Sequence, residues 1–270
     1  MPNEPRTKTQ PTEPLEPVLS LHPPPKSLRL NLDAVNRSLL EVENAWPLID
    51  DELDKRQIGR RDTPFDAVVR ERMLSAYAHI DSLLEQRIPP FSTEGMLEMF
   101  VLNNRIHYGT DRYLMHEYRK AIDATYEKFQ VQILPLKKWY DRHELDHPIK
   151  LSAEIYVGIL GFPQLFIEGN HRCGVLIGDW INMYFGYPPF VLSPENAAAY
   201  FEPSSEIKRF THKSTWRGRN RIPKYHRVFR EFWETHIDKK YIQKSIPKTP
   251  DLTHLENFEV VETVNGELIK

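Results

Sequence analysis

The chain of 270 residues carries 36 Lys and Arg against 38 Asp and Glu, a net charge of −2, with 40% hydrophobic and 27% charged residues. Those proportions belong to an ordinary globular protein, and the near-neutral balance gives no global pull toward nucleic acid or a membrane surface. No window approaches the ~18 apolar residues of a membrane span, the opening Met1-Pro-Asn-Glu-Pro-Arg6 lacks a signal-peptide pattern, and a lone cysteine, Cys173, excludes an internal disulfide. The expected setting is cytoplasmic and reducing, although an effector exported by a dedicated secretion machine would look the same. Length suits one domain of about 200 residues with tails.

Residues 1–29 set eight prolines among polar residues and are expected to form a disordered, polyproline-like arm. Pro23-Pro24-Pro25 reads as a plain tail before it reads as a docking motif. The domain is expected over 30–245. Asp33 can cap a first helix through Val35, Leu39 and Val42. Trp46-Pro47 is expected to break it before a short helix through Ile49 and Leu53. Thr63-Pro64 places a cap before a proline at the first helical position, followed by Phe65, Val68, Val69, Leu74, Tyr77, Ile80 and Leu84 at helical spacing. Pro89-Pro90 stops that helix, and Ser92 or Thr93 opens another reaching Gly109. Residues 110–146 stay open: His116-Glu-Tyr-Arg119 and Phe129-Gln-Val-Gln-Ile133 are candidate extended pieces, while Met115–Ala124 reads equally as helix. Leu134–His143 reads as helix.

Pro148 opens a helix through Leu151, Ile155, Ile159 and Phe162, which leads into Gln164-Leu-Phe-Ile-Glu-Gly-Asn-His-Arg172. Here a loop turns into a helix at Gly169-Asn170. Phe166 is an apolar plug and Glu168 a carboxylate before the turn, and Gly169 permits close backbone approach. The amides of the next residues open a helix N-terminus that suits an anion, and Arg172 adds a forked cation. The helix, about Asn170 to Phe185, is apolar nearly all round and therefore central, with Gly186 as its left-handed cap. Ser193-Pro194-Glu195 opens a further helix through Tyr200. A basic loop is expected over Lys208–Arg221 and a last amphipathic helix from about Pro223. Residues 246–270 read as a polar tail, with Phe258–Val264 a candidate strand. The fold class is mainly α, a bundle of about eight helices.

The stretch resembles the signature of the Fic family (the Fido fold), His-Pro-Phe-x-Asp/Glu-Gly-Asn-Gly-Arg-x-x-Arg, through Phe166, Glu168, Gly169, Asn170 and Arg172. Gly186-Tyr-Pro-Pro189 and His147–Tyr156 resemble its flanks, so the likeness covers roughly residues 92–202. It implies a Fido-type bundle with a small β-hairpin flap that aligns a target peptide by strand addition, and a protein-modifying nucleotidyltransferase using ATP and Mg2+. By this resemblance Phe166, Gly169, Asn170, His171 and Arg172 bind a nucleotide or nucleotide-diphosphate ligand, and Glu168 holds the metal. Gln164 stands at the family's catalytic histidine, Leu165 at its proline, His171 at its second glycine and Val175 at its second arginine. A glutamine does not titrate near neutrality and cannot take the target hydroxyl's proton. The alternatives are therefore a nucleotide-binding protein with an altered catalytic slot, filled by Gln164 or His171, and an inactive pseudoenzyme serving as an interaction module with a protein partner. Ser38–Asn44 is reminiscent of the family's self-inhibitory helix but one residue too long. Cys173 reads as a small core residue before a nucleophile. The Arg217, Arg219, Arg221, Lys224 and Arg227 cluster, with Trp216 and Tyr225, reads as a solvated surface before a nucleic-acid contact.

Overall fold

The computed structural model describes residues 28–58 and 64–243, and the backbone of 263–264 and 267–268. Among the described residues the fold is mainly α: α1 (Leu32–Lys55), α2 (Ala67–Glu85), α3 (Thr93–Tyr108), α4 (Arg112–Glu117), α5 (Arg119–His143), α6 (Pro148–Leu160), α7 (Asn170–Tyr184), α8 (Ala197–Phe210) and α9 (Trp216–His236). No described helix is long and apolar enough to cross a membrane.

The apolar helix α7 is the centre. Twelve of its fifteen residues are buried, and it contacts α6, α2 and α3, while α9 packs on α6 and α8 and α1 spans α2 and α8. Two small residues one turn apart set these approaches. A Cβ on Gly174 would lie 2.8 Å from the Tyr156 ring of α6, and one on Gly178 would lie 2.9 Å from the Trp233 ring of α9. Gly186, at φ 86°, follows α7 as the left-handed residue expected there. The two ends of the described domain are tied together. Asn31 N donates to Tyr241 O at 2.8 Å and Gln243 N to Arg29 O at 2.9 Å, and Arg29 grips buried Asp81 with two guanidinium nitrogens at 2.9 and 2.6 Å.

Several boundaries differ from the sequence reading. Asn31, not Asp33, caps α1, accepting from Ala34 N. Pro47 does not break that helix, because Val35, Leu39, Val42, Trp46, Ile49 and Leu53 form one continuous buried stripe. Tertiary packing outweighs the lost hydrogen bond. α2 starts at Ala67 under an Asp66 cap, with Pro64 and Phe65 leading into it; Thr63 lies outside the described residues. The expected flap is absent from 110–146: residues 116–117 lie in α4 and residues 129–133 in α5. Phe129, Ile133, Leu136 and Tyr140 are the buried seam of α5, whereas Val131 is 63% exposed, so the spacing followed is helical and not the alternation of a strand. Ser193–Asn196 form a turn before α8, with Ser193 N donating to Asn196 Oδ1. The expected basic loop is largely helix. α8 reaches Phe210, Thr215 caps α9 by accepting from Gly218 N, and Pro223 lies inside α9. Of the Phe258–Val264 candidate, Thr263–Val264 pairs antiparallel with Glu267–Leu268; residues 258–262, the arm before residue 28 and the tail over 244–262 lie outside the described residues.

Candidate functional site

The loop between α6 and α7 is fastened at almost every residue. Phe162 N donates to Thr211 O at 2.9 Å and Lys213 N to Phe162 O at 2.8 Å. Lys213 Nζ reaches back to the Gly158 and Pro163 carbonyls at 2.7 and 3.0 Å, and Lys128 Nζ donates to Phe166 O at 2.7 Å. Burial, helped by the Lys128 charge, lowers the Lys213 ammonium to about 8. Phe166 is the plug expected of it, fully buried and stacked on Phe129 with centroids 5.4 Å apart. Buried Asn170 closes the loop on itself: its Oδ1 accepts from Phe166 N at 2.8 Å and its Nδ2 donates to Phe166 O at 3.0 Å. Gln164 is a tie of the same loop. Its Nε2 donates to Leu160 O at 3.2 Å, and its Oε1 receives a long 3.5 Å contact from Asn170 Nδ2.

Gly169 turns the chain into α7 at φ 77°. A Cβ there would fall 2.6 Å from both His107 Nε2 and Ile106 Cδ1 of α3. Gly169→Ala is therefore expected to cost about 1–2 kcal/mol from the left-handed backbone and the crowding, read as a lowered midpoint in urea; an unchanged midpoint would mean that the turn relaxes freely. Asn103 of α3 donates to Glu168 O at 3.0 Å and contacts Cys173 Sγ at 3.5 Å. Burial pushes the Cys173 thiol up to about 12, so it behaves as a core residue and not as a nucleophile.

The first turn of α7 carries the charged groups. Arg172 donates from Nη1 to Ile106 O at 3.1 Å, and burial lowers its pKa. His171 Nδ1 is buried without a protein partner. Burial first, then the charges of Lys208 and Arg172, pull this imidazole down to about 4. It is neutral at pH 7. His107 Nε2 is likewise buried without a partner, and burial with Arg172 lowers that ring to about 4. Glu168 is exposed, and its charge is felt by His107, Tyr108 and Arg172.

Beside this turn lies a cavity of ≈ 920 Å³ between the end of α1, the start of α2, α7 and α8. Comparison of the chain with protein-family models, with curated proteins and with solved structures returns no match. The geometry alone therefore describes the site. Of the residues singled out in the sequence, His171, Arg172 and Val175 line the cavity; Gln164, Phe166, Glu168, Gly169 and Asn170 do not. Aromatic rings of Trp46, Phe65, Tyr200 and Phe201 form its walls, and Arg56, Lys208 and Arg209 stand on it with Glu202 and Glu206. Arg56 is spent on Glu52 and Glu202, and Glu206 on Lys224 and the Tyr225 hydroxyl. Among the described residues Lys208, Arg209 and Arg172 are the lining cations without a carboxylate partner, Arg209 lying over the Phe210 ring at 5.1 Å. Sequence reasoning passed over the aromatic wall because its members lie in α1, in the lead-in to α2 and in α8, far apart in the chain; only their arrangement around α7 makes them one surface. Glu43 of the Ser38–Asn44 segment bonds Arg70 at 2.6 Å, and Ser38 bonds Leu192 O, so that segment is tied into the scaffold.

Chemically, aromatic walls and cations without a carboxylate partner suit an anion with a flat apolar body. Among the described residues no group of three or more His, Cys, Asp or Glu side chains could hold a metal ion. Glu168, the one loop carboxylate that the Fic resemblance assigns to magnesium, is off the cavity wall. The carboxylates on the cavity wall are instead Glu202 and Glu206.

Proposed function

We propose that this protein binds a nucleotide or nucleotide-diphosphate ligand, as the Fic resemblance implies, and that the ligand lies in the cavity beside α7, meeting the Glu168–Arg172 turn through His171 and Arg172 alone. The observation that carries the reading is the placement of His171 and Arg172, from the signature turn, on the wall of a ≈ 920 Å³ cavity that also holds Lys208, Arg209 and the rings of Trp46, Phe65, Tyr200 and Phe201, among others. Arg172, Lys208 and Arg209 attract the phosphates, neutral His171 donates or accepts one hydrogen bond through its unpartnered Nδ1, and the rings cover the base. Thermal unfolding with a panel of nucleotides and nucleotide sugars, each with and without Mg2+, tests it. A ligand at 100 times its Kd adds about 2.7 kcal/mol, and Val175→Phe, which fills the cavity wall, removes that gain. No shift with any ligand, or a shift that survives Val175→Phe and His171→Ala, overturns the assignment.

A second reading, binding or docking without group transfer, is favoured by Gln164. Its amide is engaged with Leu160 O and Asn170, and it supplies no proton acceptor. With labelled nucleotide and cell lysate, the native protein is expected to leave proteins unlabelled. Labelling by Gln164→His alone would show a working cradle without its base, and labelling by the native protein would end the inactive reading.

A further inference from the structure

We propose that the solvent face formed by the end of α8 and by α9 binds single-stranded nucleic acid through its phosphates, with Trp216 as a base-stacking platform. Residues 207–230 hold nine Lys and Arg and no Asp or Glu, in a chain whose totals are 36 and 38. A quarter of the positive charge of a net acidic protein thus falls in one segment free of acids. Because residues 216–230 are helix and not loop, the charges there stand at fixed spacings. Gly218, Tyr225, Phe229, Phe232 and Trp233 are the buried side of α9, while Arg217, Arg219, Arg221, Lys224 and Arg227 are exposed. From Trp216 to Arg230 the helix presents that face over about 21 Å.

The neutralising acids touch only its margins. Lys224 is 3.7 Å from Glu206, and Arg230 is 3.9 Å from Glu234. His226, on the flank, is 3.3 Å from Glu154. Among the described residues Arg217, Arg219 and Arg227 form no ion pair, and Arg221 lies over the Phe210 ring at 4.7 Å. Trp216, at the head of the row, is 71% exposed. Most of that indole is open to solvent, and flanking arginines with an open indole are what a strand of stacked bases requires. A lipid surface fits less well, since the apolar side of α9 is already consumed by the core and only Trp216 remains to insert. An acidic peptide would meet the same charge but would leave the indole unused. The assignment is independent of the cavity.

The test is fluorescence anisotropy of labelled oligo-dT and oligo-U with the full chain. At 50 mM salt binding is expected, weakening on the order of 50-fold at 200 mM salt for about four phosphate contacts. Replacing Arg217, Arg219 and Arg227 together with glutamine lowers affinity and reduces the log–log salt slope by about 2. Trp216→Ala weakens binding roughly tenfold with the slope unchanged. All of these positions are exposed, so both variants keep the thermal midpoint of the native chain. Absent binding at 50 mM salt, a salt-independent affinity, or a triple variant that binds like the native chain overturns the proposal. So does displacement of the oligonucleotide by polyglutamate of matched charge or by vesicles containing phosphatidylserine at equal potency.

Discussion

Asp179→Ala is expected to destabilise the protein by about 3–4 kcal/mol, whereas Asp179→Asn stays within about 1 kcal/mol of the native chain. Asp179 is fully buried in the middle of α7. Its Oδ1 accepts from Phe190 N at 2.7 Å, and its Oδ2 is 3.2 Å from the Tyr77 hydroxyl, which is itself 3.2 Å from Phe190 O. Burial raises this carboxyl well above its ordinary range, with the Phe190 N–H pulling the other way. A protonated Asp179 closes a ring: Oδ2–H donates to Tyr77, Tyr77 to Phe190 O, and Phe190 N–H to Oδ1. Asparagine reproduces every bond of that ring; alanine orphans two buried groups and leaves a void, each loss worth about 1–3 kcal/mol. Because the folded pKa is raised, the folded state holds its proton where the unfolded chain has lost it. The contribution of Asp179 is therefore greatest below the unfolded carboxylate range near 4 and falls as pH rises toward the folded value. Urea midpoints from pH 4 to 8 should decline less steeply for Asp179→Asn than for the native chain, and parallel curves would remove the protonated ring. Tyr77 and Phe190 also line the cavity, so the alanine variant should lose ligand binding along with stability.

How much of this was legible in the sequence depends on the range of the interaction that decides each feature. The apolar circumference of α7, the Ser92 cap of α3, the proline start of α6 and the plug at Phe166 are local or periodic, and all are found where the residues place them. Pro47 was misread because its cost is local while its compensation, a stripe from Val35 to Leu53 packed on α2 and α8, is not. Residues 129–133 carry apolar side chains at both strand and helix spacing, and only burial against Phe100 and Phe166 selects the helix. At the site, the turn and its cations were visible, but the direction of each side chain was not. Asn170 and Gln164 turned inward to hold the loop, and His171 with Arg172 turned to a cavity whose other walls come from α1, α2 and α8.

Asn170→Ala provides the sharper test of how that turn is held. Both backbone hydrogen-bonding groups of Phe166, its N–H and its carbonyl, rest on the Asn170 amide, at 2.8 and 3.0 Å, and Phe166 is completely buried. Alanine leaves that N–H unpartnered and leaves the carbonyl with Lys128 Nζ alone. The expected loss is about 2–3 kcal/mol. Gln164→Ala forfeits only a 3.2 Å bond and a 3.5 Å contact of a half-buried side chain, and should cost under about 1 kcal/mol. The two variants therefore separate the two amides of the loop. Any ligand-induced thermal shift should disappear in Asn170→Ala, since residues 171 and 172 reach the cavity only from a turn in its present register, and should persist in Gln164→Ala. If the two substitutions prove equally costly, the loop is held by Lys128 and Lys213 and not by Asn170.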